Sequence, residues 1–167
     1  VEYALLMPTG GAWIAALLIA VSRIARADDA ADAALEVLNQ RNIVFSPGEF
    51  LDLVEHDDAD NVRIFLQAGM SANAGLEDGH PVLVHAASRG FNDTVRALLD
   101  GGALVNAKNH DGYTALMLAC LLGREDTAVV LLERGADPDI GNRTGKTALM
   151  FAVEQRRPAL VEAMLKR

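Results

Sequence analysis

Apolar and polar positions recur along much of this chain with a fixed period of 33 residues. The repeated segments are 50–73, 77–106, 110–139 and 143–167. Gly79, Gly112 and Gly145 follow one another at this spacing, and Phe65 and Leu98 do the same at a second position of the unit. A period of this length predicts a stack of small structural units rather than one continuous globular core.

Within a unit, the pattern predicts two short helices. The second helix of one unit carries Val95, Leu98 and Leu99, an i, i+3, i+4 pattern that places apolar side chains on one face. Thr114 precedes a first helix and can cap it, and Gly102 follows a second helix, where a positive φ is needed. No single unit can bury its apolar face alone, so we expect stacking between units to supply the core.

The segments "DGYTALMLA" and "VVLLERGADPD" resemble ankyrin repeats, whose unit has a turn, two antiparallel helices and a loop. The resemblance extends over residues 46–167, although Pro81 replaces the motif's threonine in one unit. The motif's histidine is replaced by Val84, Met117 and Met150. The resemblance implies an all-α ankyrin solenoid of about four units that binds a partner protein without catalysis. The units implied are residues 46–74, 75–107, 108–140 and 141–167.

The two ends of the stack carry their own signals. "SPGE", residues 46–49, is a capping box with proline at the first helical position. Residues 28–45 are expected to form an N-terminal capping helix and linker. The apolar face of this helix, which is expected to cover the first repeat, consists of Ala31, Ala34, Leu35 and Leu38. We expect the last unit to close the stack with a polar outer face made of Arg156, Arg157, Glu162, Lys166 and Arg167.

The N-terminal segment suggests export. Residues 3–22 carry no charge, residues 12–21 are densely apolar, and Ala25-Arg26-Ala27 forms a small-x-small site. This arrangement is typical of a secretory signal peptide and predicts a periplasmic or secreted protein beginning at Asp28. Two alternatives stay open: an inner-membrane anchor over residues 3–22 with a cytoplasmic main domain, and an apolar helix docked on the fold. The resemblance, in turn, implies a bacterial scaffold, inhibitor or immunity partner in the cell envelope.

Composition narrows the functional classes. The formal net charge of −8 disfavours nucleic acid as a partner, and aromatic residues make up only 5%, so the core must be aliphatic. Cys120 is the only cysteine, which excludes an internal disulfide and a multi-cysteine metal site. It aligns with Ala87 and Val153, so we expect a buried thiol; a cysteine-dependent enzyme is the lesser alternative. We expect no metal or cofactor, and a monomer.

The candidate partner-binding residues lie at the turn tips and at the outer positions of the first helices, which together line the concave surface of such a stack. They are Glu77, Asp78, His80, Ser88, Arg89, His110, Asp111, Tyr113, Leu121, Leu122, Arg143, Thr144, Lys146, Glu154 and Gln155. Tyr113, Leu121 and Leu122 are apolar where the flanking units place polar residues. With the polar side chains around them they resemble an interface centre and its rim, although one leucine could instead pack against the next unit.

Overall fold

The described part of the chain folds into a stack of four antiparallel helix pairs preceded by one helix. The computed structural model describes residues 28–76 and 79–166, and this part contains helices and turns without a strand. The helices are α1 (residues 28–40), α2 (Pro47–Glu55), α3 (Ala59–Gln67), α4 (Val82–Arg89), α5 (Asn92–Asp100), α6 (Ala115–Leu121), α7 (Glu125–Glu133), α8 (Ala148–Glu154) and α9 (Pro158–Leu165). The predicted all-α solenoid of stacked helix pairs is confirmed.

The turns between pairs repeat with the period of the sequence. Each is closed by an isolated backbone bridge, and the bridges are Gly75–Pro81, Lys108–Thr114 and Gly141–Thr147. Inside one turn, the side-chain oxygen of Asn109 accepts hydrogen bonds from the backbone N–H groups of Asp111 (3.0 Å) and Tyr113 (2.9 Å). Asn142 makes the equivalent bonds one unit later. These asparagines therefore fix the conformation of the hairpin tips.

Side-chain caps define where several helices begin. The Thr114 hydroxyl accepts from the Met117 N–H at 3.3 Å, and Thr147 does the same at the start of α8. Ser46 accepts from the Glu49 N–H at 3.2 Å, as its capping box predicts. Pro81 precedes α4 without a side-chain cap, because proline has no oxygen beyond its backbone carbonyl.

The core runs along the stack between consecutive pairs. The first helices α4, α6 and α8 contact one another in succession, and so do the second helices α3, α5, α7 and α9. Leu83, Leu116 and Leu131 are fully buried in this aliphatic core. Polar bonds also join neighbouring units: the buried Thr94 hydroxyl donates to the Asp57 carboxylate at 2.8 Å. Stacking thus buries what a single pair would expose.

The core face predicted for α1 is confirmed in part, and Ala31 on this face is half-buried. Ala34 and Leu38 are buried, and the Arg41 guanidinium donates to the Asn61 side chain at 2.6 Å. Leu35, which was expected on the core face, is exposed. It lies one residue beyond Ala34 around the helix, so it points to the edge of the contact.

The expectation of a polar C-terminal face is only partly met. Arg156, Glu162 and Lys166 are exposed, Arg157 is half-buried, and Arg167 lies outside the described residues. However, Val153 and Leu165 are also exposed. The polar residues therefore form only the rim of an apolar face.

Candidate functional site

The hairpin tips form a row along one edge of the stack. Among the candidates there, the exposed residues are His110, Asp111, Arg143 and Thr144, and the half-buried residues are His80, Tyr113 and Lys146. The imidazole rings of His80 and His110 lie 5.7 Å apart, which places the tips of the second and third units side by side. Glu77 and Asp78 lie outside the described residues.

The apolar trio at the third unit does not form one uniform patch. Leu122, the C-cap residue of α6, is 50% exposed. Tyr113 and Leu121 are half-buried and pack against the core. Of the three, only Leu122 is therefore exposed over half of its surface, while Leu121 fits the alternative of a leucine packed into the stack.

Tyr113 is held in place by a residue that the sequence analysis missed. Its ring lies 5.7 Å from the ring of Phe151, and the Lys146 ammonium lies 5.5 Å from the centre of the same Phe151 ring. Lys146 also pairs with the Glu154 carboxylate at 2.6 Å. Phe151 is buried beneath these side chains and links the tips of the third and fourth units. Its signal in the sequence is an aromatic residue at the position that Leu118 occupies one repeat earlier.

The ends of the first helices supply the other side of the surface. The Ser88 hydroxyl donates to the His85 carbonyl at 2.7 Å, and the Arg124 guanidinium donates to the Ser88 carbonyl at 3.1 Å. Both polar groups of Ser88 therefore form hydrogen bonds that stabilise the fold. Arg89 and Gln155 are exposed at the positions equivalent to Leu122. Residues 89, 122 and 155 form one column, which means one aligned position of the repeat, and all three face solvent.

The only cysteine is unsuited to nucleophilic chemistry. Cys120 is fully buried in α6, and burial raises the pKa of its thiol to about 12. At neutral pH it is therefore protonated, whereas a nucleophilic cysteine must ionise. In residues 28–76 and 79–166, no group of three His, Cys, Asp or Glu side chains could hold a metal ion. The same part of the chain contains no helix long and apolar enough to cross a membrane.

Comparison with known proteins agrees with the geometry. A family model described as ankyrin repeats, in three copies, matches residues 51–142. The chain belongs to the ankyrin-repeat family. Ankyrin repeats are generally protein–protein interaction modules and are typically non-enzymatic. A search of curated proteins finds no match.

Proposed function

We propose that this ankyrin-repeat protein is a non-enzymatic binding module that holds a partner protein against its hairpin tips and the ends of α4, α6 and α8. The observation that carries the proposal is Leu122. Its side chain is half exposed in a column that otherwise contains the exposed Arg89 and Gln155. An apolar side chain bordered by charged and polar ones is the usual arrangement of an interface centre and rim.

Fixed geometry at the hairpin tips supports the same function. Tyr113, Phe151 and Lys146 form a packed unit that joins two neighbouring tips. A surface that is ordered before binding loses less conformational entropy when it binds. The tips therefore offer a partner a rigid surface, and Leu122 adds an apolar anchor point at the other end of α6.

The experiment compares Leu122→Asp with Val129→Asp. Val129 is 41% exposed on α7, a second helix, so it provides an exposed apolar control away from the first helices. We expect both variants to keep the helical circular dichroism of the parent. Partners captured from the native host and identified by mass spectrometry should be lost with Leu122→Asp and kept with Val129→Asp.

The interaction should then be measured with the purified partner. Because interface anchors contribute about 2 kcal/mol or more, Leu122→Asp should weaken binding at least about thirtyfold. Equal affinity of the parent and Leu122→Asp would show that the partner binds elsewhere. Unfolding of Leu122→Asp, with Val129→Asp intact, would show that Leu122 belongs to the core.

For the location of this module, we propose export to the periplasm or the exterior of a bacterial cell. The support is the order of an apolar segment, a small-x-small site and the acidic start at Asp28. Sequencing the N-terminus of the protein recovered from its host tests the proposal. A start at Asp28 is expected, whereas retention of residues 3–22 in a membrane fraction would favour an anchored protein instead.

A further inference from the structure

The last described helix pair exposes positions that the preceding pair buries. Three columns of the repeat show this, comparing the third unit with the fourth: Leu132 (5% exposed) with Leu165 (69%), Cys120 (0%) with Val153 (58%), and Met117 (0%) with Met150 (50%). The fourth unit thus keeps apolar residues at positions that contact a following unit in the interior of the stack. We call Met150, Val153, Val161 and Leu165 the C-terminal face.

Basic side chains surround the C-terminal face. Arg156, Arg157 and Lys166 line it with one acidic residue, Glu162, although the whole chain has a net charge of −8. Lys166 pairs with Glu162 and Arg157 pairs with Glu125, each at 2.6 Å, whereas Arg156 is exposed and forms no ion pair within the described part of the chain. An open apolar groove of about 630 Å³ lies between these groups.

The opposite end of the stack has the complementary character. Residues 28–40 contain four acidic side chains and no basic one. Asp28, Asp29 and Asp32 are exposed on α1. Beside them, Leu35, Val44 and Phe45 are exposed apolar residues. We call these three apolar residues and the acidic side chains of α1 the N-terminal face.

We propose that the C-terminal face of one copy binds the N-terminal face of a second copy, so that the stack continues from one molecule to the next. Opposite charges favour this head-to-tail contact, and two C-terminal faces would instead bring two basic rims together. The contact is heterologous and leaves an unoccupied face at each end, so it produces open chains of molecules. It replaces the expectation of a monomer and goes beyond the proposed function, because it leaves the hairpin tips and Leu122 free.

The contact is expected to be weak and dependent on salt. The C-terminal face is the end of one helix pair. The N-terminal face is one helix with the loop that follows it. Stable interfaces bury about 800 Å² on each partner, and a face of this kind is at the low end of that scale. Screening of the charged rims should weaken it as the ionic strength rises.

Sedimentation velocity of the whole protein over a range of concentrations provides the first test. We expect the average mass to increase with concentration at low salt. Val153→Glu with Leu165→Asp alters the C-terminal face, and Asp32→Lys with Leu35→Lys and Glu36→Lys alters the N-terminal face. Leu104→Asp is the matched control, because Leu104 is 65% exposed in a loop that belongs to neither face.

Mixing the two face variants tests the head-to-tail arrangement directly. Each should be a monomer alone, because each lacks one of the two surfaces that identical copies require. Their mixture should form a dimer that grows no further, since only one pair of intact faces is present. Leu104→Asp and Leu122→Asp should associate like the parent, so failure of this proposal is distinguishable from failure of the proposed binding function.

Three outcomes would overturn the proposal. A parent protein that stays monomeric at every concentration at low salt would show that no second copy covers the C-terminal face. Self-association of the N-terminal variant alone would indicate contact between two C-terminal faces. Association of both variants alone would place the contact elsewhere in the chain, and circular dichroism of each variant would verify that it is folded.

Discussion

Leu132 and Leu165 occupy the same position in consecutive units. Replacing each with alanine is therefore the same chemical change, and it tests whether stacking of a following unit stabilises the fold. Leu132 is 5% exposed in the third unit, which the fourth unit follows, whereas Leu165 is 69% exposed. The two substitutions remove the same atoms from second helices. A difference in stability between Leu132→Ala and Leu165→Ala therefore measures what a following unit contributes.

The magnitude follows from burial. Leucine to alanine removes three carbon atoms, which are worth about 0.8 kcal/mol each when buried. With the cavity left behind, Leu132→Ala should lower the free energy of unfolding by about 3 kcal/mol. About a third of the Leu165 surface is shielded, and an open surface leaves no enclosed cavity, so Leu165→Ala should lower it by less than about 1 kcal/mol.

Urea unfolding followed by circular dichroism provides the measurement, with linear extrapolation to water. The protein should be dilute, because a second copy bound to Leu165 would stabilise the parent by mass action. Equal losses of stability in Leu132→Ala and Leu165→Ala under dilute conditions would refute the reasoning. That result would mean either that Leu165 is covered within the molecule or that the fourth unit does not contribute to burial of Leu132.

Two further predictions concern the turn glycines and the thiol. Gly112 and Gly145 both have positive φ, but a Cβ on Gly112 would lie 2.9 Å from the Arg143 backbone nitrogen, whereas a Cβ on Gly145 meets nothing within 4 Å. Both alanine variants should lose about 1 kcal/mol to backbone strain, and Gly112→Ala should lose more in urea unfolding; equal losses would contradict the close approach. Cys120 should react with a thiol reagent at neutral pH only after unfolding. Because folding raises the pKa of the Cys120 thiol from 9.0 to about 12, its contribution to stability should be present below pH 9.0 and decline up to about pH 12, and Cys120→Ala should lack this decline. Rapid labelling of the native protein would disprove the burial.

The fold could be predicted from the sequence because its determinants are local and repeated. Thr114 and Ser46 cap helices as their positions indicate. The apolar spacing of Val95 and Leu98 places both in the core. Each of these assignments depends on the few residues around it, and the 33-residue period provides independent copies of the same evidence.

The exposure of the candidate site could not be predicted in the same way. Aligned polar residues suggested that Tyr113 and Leu121 face solvent, yet both are half-buried. Tyr113 packs on Phe151 of the following unit, a contact between residues 38 positions apart that no local pattern describes. Aligned residues in a column indicate only the usual exposure of that position. The burial of one side chain also depends on the sizes of its neighbours.

This dependence on neighbours is the reason that Leu122 is the strongest candidate for contact with a partner. Within the described residues no unit packs over Leu165, which is therefore exposed, and Tyr113 is half-buried because Phe151 lies beneath it. Neither explanation applies to Leu122, which lies in an interior unit in a column where Arg89 and Gln155 are exposed as well. The fold therefore accepts polar side chains in this column. Packing within the chain does not explain why a leucine occupies position 122. Contact with an apolar group of a partner protein would explain the leucine. Leu122→Asp distinguishes partner contact from packing within the chain, because only partner contact predicts loss of binding with unchanged stability.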